Sequence, residues 1–594
     1  MFLRTVKARG GEGVQHEYVR LVEAYREHGK NKQRVVCNLG RKELLAAHLD
    51  DLIALLRGER RALAPPTAAG PVQAVGAWDW GPMLVARTLW RELGLQQVLD
   101  REGGRGPGDG VAVADRALVL VANRLCAPTS EHGLARWLDT DFVCDRRGRR
   151  WQPEWRDDAE RRASRRPRVR VTFRQLKQWY RTLDQLAARR LAIEAELYLR
   201  LRDLFSLQVD CVFYDLTSTY FEGHGPAILG AHGHSRDGKP RNRQVLVGVV
   251  LVDGWPLTHH VFAGNWRDAK TVPDVLDDLE TRFGLRRVVF VGDRGMVTAA
   301  NLARVREQKH GYVVGLQRRR REAVYRYIER ATGPWADCPV GRAAQERAVA
   351  PKTQVQEVAS DEPGVRVFVV QSEERLAYER GQRLLAMERV RKQLAALEKR
   401  VATGKLTAPA KIGAAAARIL TRTHGHRYYD WEYRDGVFRF FEHPVHLKRE
   451  EAYEGKYVIQ TEEPGLTAVE AVTIYKELSD VERAFASLKD VIEMRPIYHR
   501  TDARVQAHIF VAALALLLHR AIEKKLKAAG LDFSATEALQ ALRSVRVVDF
   551  VVGRGGHHQR SVTRGTERAA RILAALGITD IDPPTPPVGA PTIA

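Results

Sequence analysis

Cysteine is scarce in this chain and scattered where it occurs. Five of the 594 residues are Cys, at 37, 126, 144, 211 and 338, with no CxxC or other metal-ligand spacing. That argues against a zinc finger, and an odd count without a disulfide framework fits a reducing cytoplasm. Long apolar runs are missing too. The most apolar stretch, IFVAALALLLH from Ile509, falls well short of the ~20 residues that a membrane-spanning helix needs. It reads as a buried core helix, so no membrane partner is expected. FLRTVKARGGEG after Met1 contains no apolar core of the secretory kind, and no signal peptide is expected. GRGGHHQR around Gly553 lacks the Gly-Lys-Ser/Thr ending of a phosphate loop.

Positive charge is what the chain has in excess. Lys and Arg number 96 against 73 Asp and Glu, a net charge of +23 with a sequence pI near 9.9. Such an imbalance points to a polyanionic partner, of which nucleic acid is the commonest. At 44% hydrophobic and 28% charged the composition is otherwise that of a globular protein, and its length favours several domains.

Residues 1–65 read as a small basic module, two strands around a Gly-Lys-Asn turn and then the helical pattern RKELLAAHLDDLIALLRGE. APPTAAGP from Ala64 is a linker by its Pro and Gly content. Residues 75–205 form a mainly helical region. The Arg-dominated run from Cys144, with Trp151 and Trp155 among its charges, reads equally as a solvated loop or a DNA-backbone contact. Residues 206–317 read as three strands, then helix, strand, helix and strand, an α/β domain with a mixed sheet. Asp253-Gly254 marks a hairpin, and Thr271 is the expected cap of the helix TVPDVLDDLETRFG. Residues 318–465 look like an insertion with its own sheet, containing a charged helix at 380–402 that reads as solvated or dimer-forming. Residues 466–525 are helical again. Residues 526–594 end in a Pro-rich tail expected to be disordered.

Two carboxylates stand out. VFYDLTSTYFEG sets Asp215 in a strand, where Asp is disfavoured, and VVFVGDRGM sets Asp293 at the end of an apolar strand. In open α/β sheets, ligands sit outside the carboxyl ends of strands. Two neighbouring acids there repel unless a divalent cation lies between them, and an oxygen-only ligand set points to Mg²⁺ or Mn²⁺. Either Asp alone is more often a turn former or helix cap. A third acid changes the balance. In IYKELSDVERAFASLKD, Ile474, Leu478, Val481, Phe485 and Leu488 form a buried helical stripe. Tyr475, Glu482 and Lys489 recur at seven residues along its edge. Glu482 on metal, with Tyr475 and Lys489 on backbone phosphates, suits that line, although Glu482 could equally pair with an Arg. Thr217 falls on the same strand face as Asp215 and is a candidate to orient the metal shell. The His259-His260 and His557-His558 neighbours point apart on a strand, which disfavours shared metal ligation. Trp266 and Trp431 read as packing aromatics before base-stacking ones.

At these residues the sequence resembles the DDE transposases of bacterial insertion sequences. More narrowly, it resembles the group with a β-rich insertion before its last acid and a Tyr-Arg-Glu-Lys signature. Tyr475, Glu482 and Lys489 match that signature, whereas Leu478 stands at its Arg. A phosphate contact made by that Arg is thus missing here, or comes from Lys476 or Arg483. YDLTSTYFEG, GHSRDGKPRNRQVLVGVVL, VFAGNWRDAKT, VVFVGDRGM and MRPIYHRTDARVQAHIFVAALALLL also match, so the likeness runs from about 205 to 525. It implies an RNase H-like catalytic core, a β-rich insertion subdomain and a mainly helical N-terminal DNA-binding region. It implies Asp215, Asp293 and Glu482 as catalytic metal ligands for two Mg²⁺ or Mn²⁺ ions, roughly 3.5–4 Å apart. Tyr475, Lys489, Arg294 and Arg483 are the implied DNA contacts. The implied reaction is cleavage at transposon ends followed by attack of the freed 3′-hydroxyl on target DNA, without a covalent protein–DNA intermediate. Double-stranded DNA and a second copy of the chain are the implied partners, in the bacterial cytoplasm. The rival expectations are a nuclease without strand transfer and a DNA-binding protein derived from a transposase.

Overall fold

A computed structural model describes residues 2–9, 15–27, 30–42, 73–103, 110–155, 174–205, 210–293, 295–296, 298–316, 322–338, 352–552, 557–586 and 592–593. The chain divides into two compact units. One comprises residues 1–77 with 548–561, and the other comprises 78–547 with 562–594.

In the first unit, β1 (Phe2–Arg9), β2 (Gln15–Glu27) and β3 (Lys30–Arg41) form an antiparallel sheet in that order. β1 adds a strand to the expected pair, and the RKELL helix falls almost wholly outside the described residues. β4 (Gln73–Asp79) belongs to a separate three-stranded sheet with two late strands.

The second unit opens with α1 (Gly81–Glu92), α2 (Leu95–Glu102), α3 (Val113–Cys126), α4 (Leu134–Thr140) and the long α5 (Arg174–Phe205). The described part of the Arg-rich run is committed to this helical body. Arg146 pairs with Asp100 and Asp115, Arg149 pairs with Asp145, and Trp151 is buried against Trp179 at 5.0 Å. The rest of that run, 156–173, lies outside the described residues.

The chain then builds a mixed sheet from β5 (Cys211–Tyr220), β6 (Gln244–Val252) and β7 (Trp255–Ala263), α6 (Asp268–Thr281), β8 (Val289–Gly292), α7 (Ala299–Glu307) and β9 (Gly311–Gly315). β5, β8 and β9 run parallel, while on the far side β6 pairs antiparallel with β5 and β7 antiparallel with β6. The β6–β7 turn has positive φ at both Asp253 and Gly254, the geometry that twisted hairpins favour. Thr271 is not a cap. The helix begins three residues earlier, at Asp268, and Thr271 is buried inside it, donating to the Asp268 carbonyl and accepting from the Tyr214 hydroxyl.

The insertion follows with α8 (Glu322–Arg330), β10 (Ala336–Asp337), β11 (Thr353–Val358), β12 (Arg366–Ser372), α9 (Glu373–Ala402), α10 (Pro409–Thr423), β13 (Tyr429–Arg434), β14 (Val437–Glu442), α11 (Pro444–Tyr453) and β15 (Lys456–Thr461). Its strands do not form the separate sheet expected from sequence. β10, β11, β12 and β15 extend the main one, giving nine strands in the order β10-β11-β12-β15-β9-β8-β5-β6-β7. Only the β13–β14 hairpin stands apart. It packs with α9 and α10 around Met387, Leu394, Ile412, Leu420 and Phe438, so the charged helix at 380–402 supports a small core of its own.

The last part comprises α12 (Ala468–Ala486), α13 (Asp502–Ala528), α14 (Ala535–Leu542), β16 (Arg546–Val552), β17 (His557–Val562) and α15 (Glu567–Ala575). β16 and β17 complete the sheet of β4. α13 is the one described helix long and apolar enough to cross a membrane, and its most apolar window is 83% buried inside the protein. Residues 587–591 and 594 of the tail expected to be disordered lie outside the described residues, and Ile593 is anchored. Ile593 is buried and exchanges backbone hydrogen bonds with Arg150 and Gln152, and the Ile581 carbonyl accepts from the Trp80 indole.

Alternating residues send the central strands into two cores. Phe213, Val247, Val249, Val291 and Val313 face α12 and α13. Tyr214, Leu216, Val250, Phe290 and Val314 face α6 and α7, through Val272, Leu276 and Val305. The sheet is thus covered by helices on both faces, an α/β architecture.

Candidate active site

Asp215 follows Tyr214 on β5, whose parallel partner on β8 is Gly292. The next residues on the two strands are Asp215 and Asp293, side by side at the carboxyl end of β8. By the alternation of Phe213 and Val291, both acids belong to the face that α12 covers. α12 starts with a capping box, in which Thr467 accepts from the Glu470 backbone while the Glu470 carboxylate accepts from Thr467. Leu478, Val481 and Phe485 seat it on the sheet, and Glu482 projects from the edge of that stripe.

The three carboxylates share one electrostatic environment. Burial is the largest influence on Asp215 and pushes its carboxyl up to about 7. The negative charges of Asp293 and Glu482 push the same way, while the Leu216 N–H, which donates to Asp215 Oδ1 at 2.7 Å, and the Arg236 guanidinium oppose them. An aqueous carboxylate titrates about three units lower. Asp215 and the two acids that act on it make an all-oxygen donor set, and such a set suits Mg²⁺ or Mn²⁺. Thr217 is buried on the same strand.

The other expected residues are placed variously. Tyr475 lies on α12 two turns before Glu482, its hydroxyl over Gly315 at the end of β9 and its ring 5.9 Å from that of Tyr457. Lys489 leaves the ridge. α12 runs into a π-helical turn at Ser487–Val491, which a 3.6-residue period does not anticipate, and Lys489 Nζ donates to Asp237 Oδ1 at 2.8 Å. Arg483 pairs with Asp480 on the exposed face of α12. Lys476 donates to Thr353 on β11 at 3.0 Å. Leu478 is buried in the stripe. Arg294 lies outside the described residues. Trp266 stacks on Phe262 at 5.3 Å, and Trp431 on Phe438 at 5.8 Å. His259 and His260 diverge to Glu194 and Asp278.

Residues 212–518 match the family profile described as "Transposase DDE domain", more than half of the 594 residues. The chain belongs to the DDE transposases. Residues 3–66 match a second profile, "IS1634 family transposase, N-terminal domain", so the transposase is that of an insertion sequence. No curated protein matches the chain. Membership makes the protein an enzyme of the DNA-cleaving and strand-transferring class.

Elsewhere in the transposase, Glu131, His499 and His508 bring ligand-type atoms within 4.8 Å of one another. His508 is already engaged on both nitrogens, Nδ1 with Arg124 at 3.3 Å and Nε2 with the Met494 carbonyl at 3.0 Å. The Arg124 guanidinium lies 4.0 Å from Glu131 and would repel a cation there. The group is a buried charge network. Sequence reading also passed over Arg236, Asp237 and Asp268, whose partners are far away in the chain.

Proposed function

We propose that this transposase binds the terminal inverted repeats of its element and cuts and joins double-stranded DNA with divalent metal. Asp215, Asp293 and Glu482 are the residues that would hold two Mg²⁺ or Mn²⁺ ions. Such ions stabilise the attacking and leaving oxygens of an in-line displacement. The observation that carries the reading is the shared field at Asp215, whose carboxyl is lifted to about 7 by burial and by the other two acids. A carboxyl so placed still holds its proton at mildly acidic pH, where a cation must displace it. Tyr475, on the same helix edge as Glu482, is positioned to take a backbone phosphate. Arg483 is a phosphate contact once it exchanges Asp480 for DNA, and Arg294 and Lys489 complete the set.

The fold reading is an RNase H-like core made of 206–317 and 466–525, with 318–465 as its insertion subdomain. The 1–65 module and the helical region 75–205 recognise the transposon ends, and 526–594 closes the chain. The net charge of +23 supports a DNA partner. Pairing two ends requires at least a homodimer, and Cys126, Cys144, Cys211 and Cys338, which form no disulfide among the described residues, suit a cytoplasmic setting.

The test is a paired assay on DNA bearing the element's ends, run with wild type, Asp215→Asn and Glu482→Gln. Wild type should cut the ends and join the 3′-hydroxyl to a target only with Mg²⁺ or Mn²⁺ present, and both variants should bind the ends without cutting. Cutting without joining would make it a nuclease. Transposition undiminished in Asp215→Asn would remove the assignment of the acids.

A further inference from the structure

The loop between β5 and β6 carries a set of contacts that, Lys489 apart, the reaction above does not use. Asp237 belongs to a Gly- and Arg-rich turn, yet its side chain is only 3% exposed. Oδ1 accepts from Lys489 Nζ at 2.8 Å and from Arg495 Nη1, while Oδ2 is buried without a hydrogen-bond partner. The other Arg495 terminal nitrogen donates to Asp490 at 2.6 Å. Two cations from the segment that ends the Glu482 helix thus converge on one carboxylate some 250 residues away in sequence (489 − 237 = 252).

The preceding residue reaches the segments that carry Asp215 and Asp293. The Arg236 backbone N–H donates to Ser218 Oγ at 3.0 Å, three residues beyond Asp215 on β5. Its guanidinium donates to Asp268 Oδ2 at 2.7 Å. Asp268 in turn borders the Asp293 turn, because a Cβ on Gly295 would lie 3.4 Å from Asp268 Oδ2 and 4.0 Å from Asp293 Oδ2. Adjacent residues therefore grip β5, the flank of Asp293 and the end of the Glu482 helix, the three segments that bear the acids.

We propose that Arg236 and Asp237 form a clasp that sets the spacing of Asp215, Asp293 and Glu482, and so the affinity of the site for divalent metal. They are positioning residues and touch no reacting atom. The proposal rests on the reading of those three acids as the metal-holding set. Its physical basis is that a desolvated carboxylate shared by two cations, with one oxygen unpaired, persists only where the surrounding chain fixes it. Groups that orient metal ligands typically change metal affinity about 10–100-fold when removed.

The full-length protein carrying Asp237→Asn, Asp237→Glu or Arg236→Met tests this. Arg236 is 30% exposed, so Arg236→Met keeps the question answerable should Asp237→Asn fail to fold. Equilibrium binding of Mn²⁺ to the metal-free protein is read by spin resonance, beside end cleavage over a Mn²⁺ series. Asp237→Asn and Arg236→Met should each weaken Mn²⁺ binding about tenfold or more. The Mn²⁺ needed for half-maximal cleavage should rise with it, and the rate at saturating Mn²⁺ should fall far less. Asp237→Glu should recover most of the affinity. Unchanged Mn²⁺ affinity in both Asp237→Asn and Arg236→Met overturns the clasp. Tighter DNA binding in Asp237→Asn at unchanged Mn²⁺ affinity also overturns it, and makes Asp237 a placeholder for phosphate at Lys489 and Arg495. Asp215→Asn and Glu482→Gln, measured alongside, separate the two failures. If they leave Mn²⁺ binding intact, the site reading itself falls. If they abolish it while the clasp variants leave it unchanged, the clasp alone falls.

Discussion

Asp215 is the residue whose environment departs furthest from water in a way that chemistry can use. Its folded carboxyl titrates near 7 against an ordinary value of 3.8. Between those values the folded protein binds more protons than the unfolded chain, so this group makes the metal-free transposase less stable as pH rises from about 4 to 7. Three units correspond to about 4 kcal/mol at most, since one unit is about 1.4 kcal/mol. Asp215→Asn should therefore melt above wild type at pH 8 in chelator, with the gap narrowing at pH 5, as thermal unfolding will show. The same proton competes with metal. Mn²⁺ affinity should fall as pH drops below 7, and binding at pH 6 should release close to one proton, measurable by calorimetry in buffers of different ionisation heat. A second residue-scale outcome concerns Gly315. A Cβ there would run into the Tyr475 hydroxyl, so Gly315→Ala should displace Tyr475 and weaken binding of end DNA while leaving Mn²⁺ affinity in place. Fluorescence anisotropy of labelled end DNA and a parallel Mn²⁺ titration decide it.

At the scale of elements, α12 carries Glu482 and is held in two separable ways. Its capping box contributes locally, and Thr467→Ala should cost about 1 kcal/mol with cleavage retained. Its stripe contributes through the sheet. Leu478 is buried among the core residues that face Phe213 and Val249, so Leu478→Ala should cost about 2–5 kcal/mol and lower cleavage as Glu482 shifts. Denaturant unfolding and end cleavage on the two variants separate cap from stripe. These features are legible in sequence because they are local: Thr467 and Glu470 are three residues apart, the stripe repeats at three and four, and Asp253-Gly254 announces its own turn. What escapes sequence is set by distant pairing. β12 joins β15, and β15 joins β9, which turns an insertion with an expected sheet of its own into a continuation of the main one. The π-helical turn at Ser487–Val491 moves Lys489 off a ridge that uniform periodicity draws straight. Asp237 looks like a turn residue until Lys489 and Arg495 arrive from the other end of the chain. The acids themselves were readable as a trio, and the closeness of Asp215 to Asp293 was expected from their strand ends, whereas the burial that contributes most to raising Asp215 was not.

Across the whole molecule, charge and catalysis are distributed differently. The excess of 96 basic over 73 acidic residues is spread along the chain, whereas the candidate metal site concentrates negative charge at one end of one sheet. Binding to DNA should then be governed by counterion release, with the logarithm of the binding constant falling linearly in the logarithm of salt, by about 0.9 per phosphate neutralised. The acids oppose that binding unless metal screens them, because a duplex brought to Asp215, Asp293 and Glu482 places phosphate against carboxylate. In chelator, Asp215→Asn and Glu482→Gln should consequently bind end DNA more tightly than wild type. With Mn²⁺ saturating, that advantage should disappear. The salt slope itself should be the same for all three proteins, since none of the basic contacts is altered. Anisotropy titrations over a salt series, with chelator and with Mn²⁺, measure both quantities at once. A slope that changed in Asp215→Asn would mean that the acids and the basic contacts form one surface, and that removing a carboxylate re-seats the DNA.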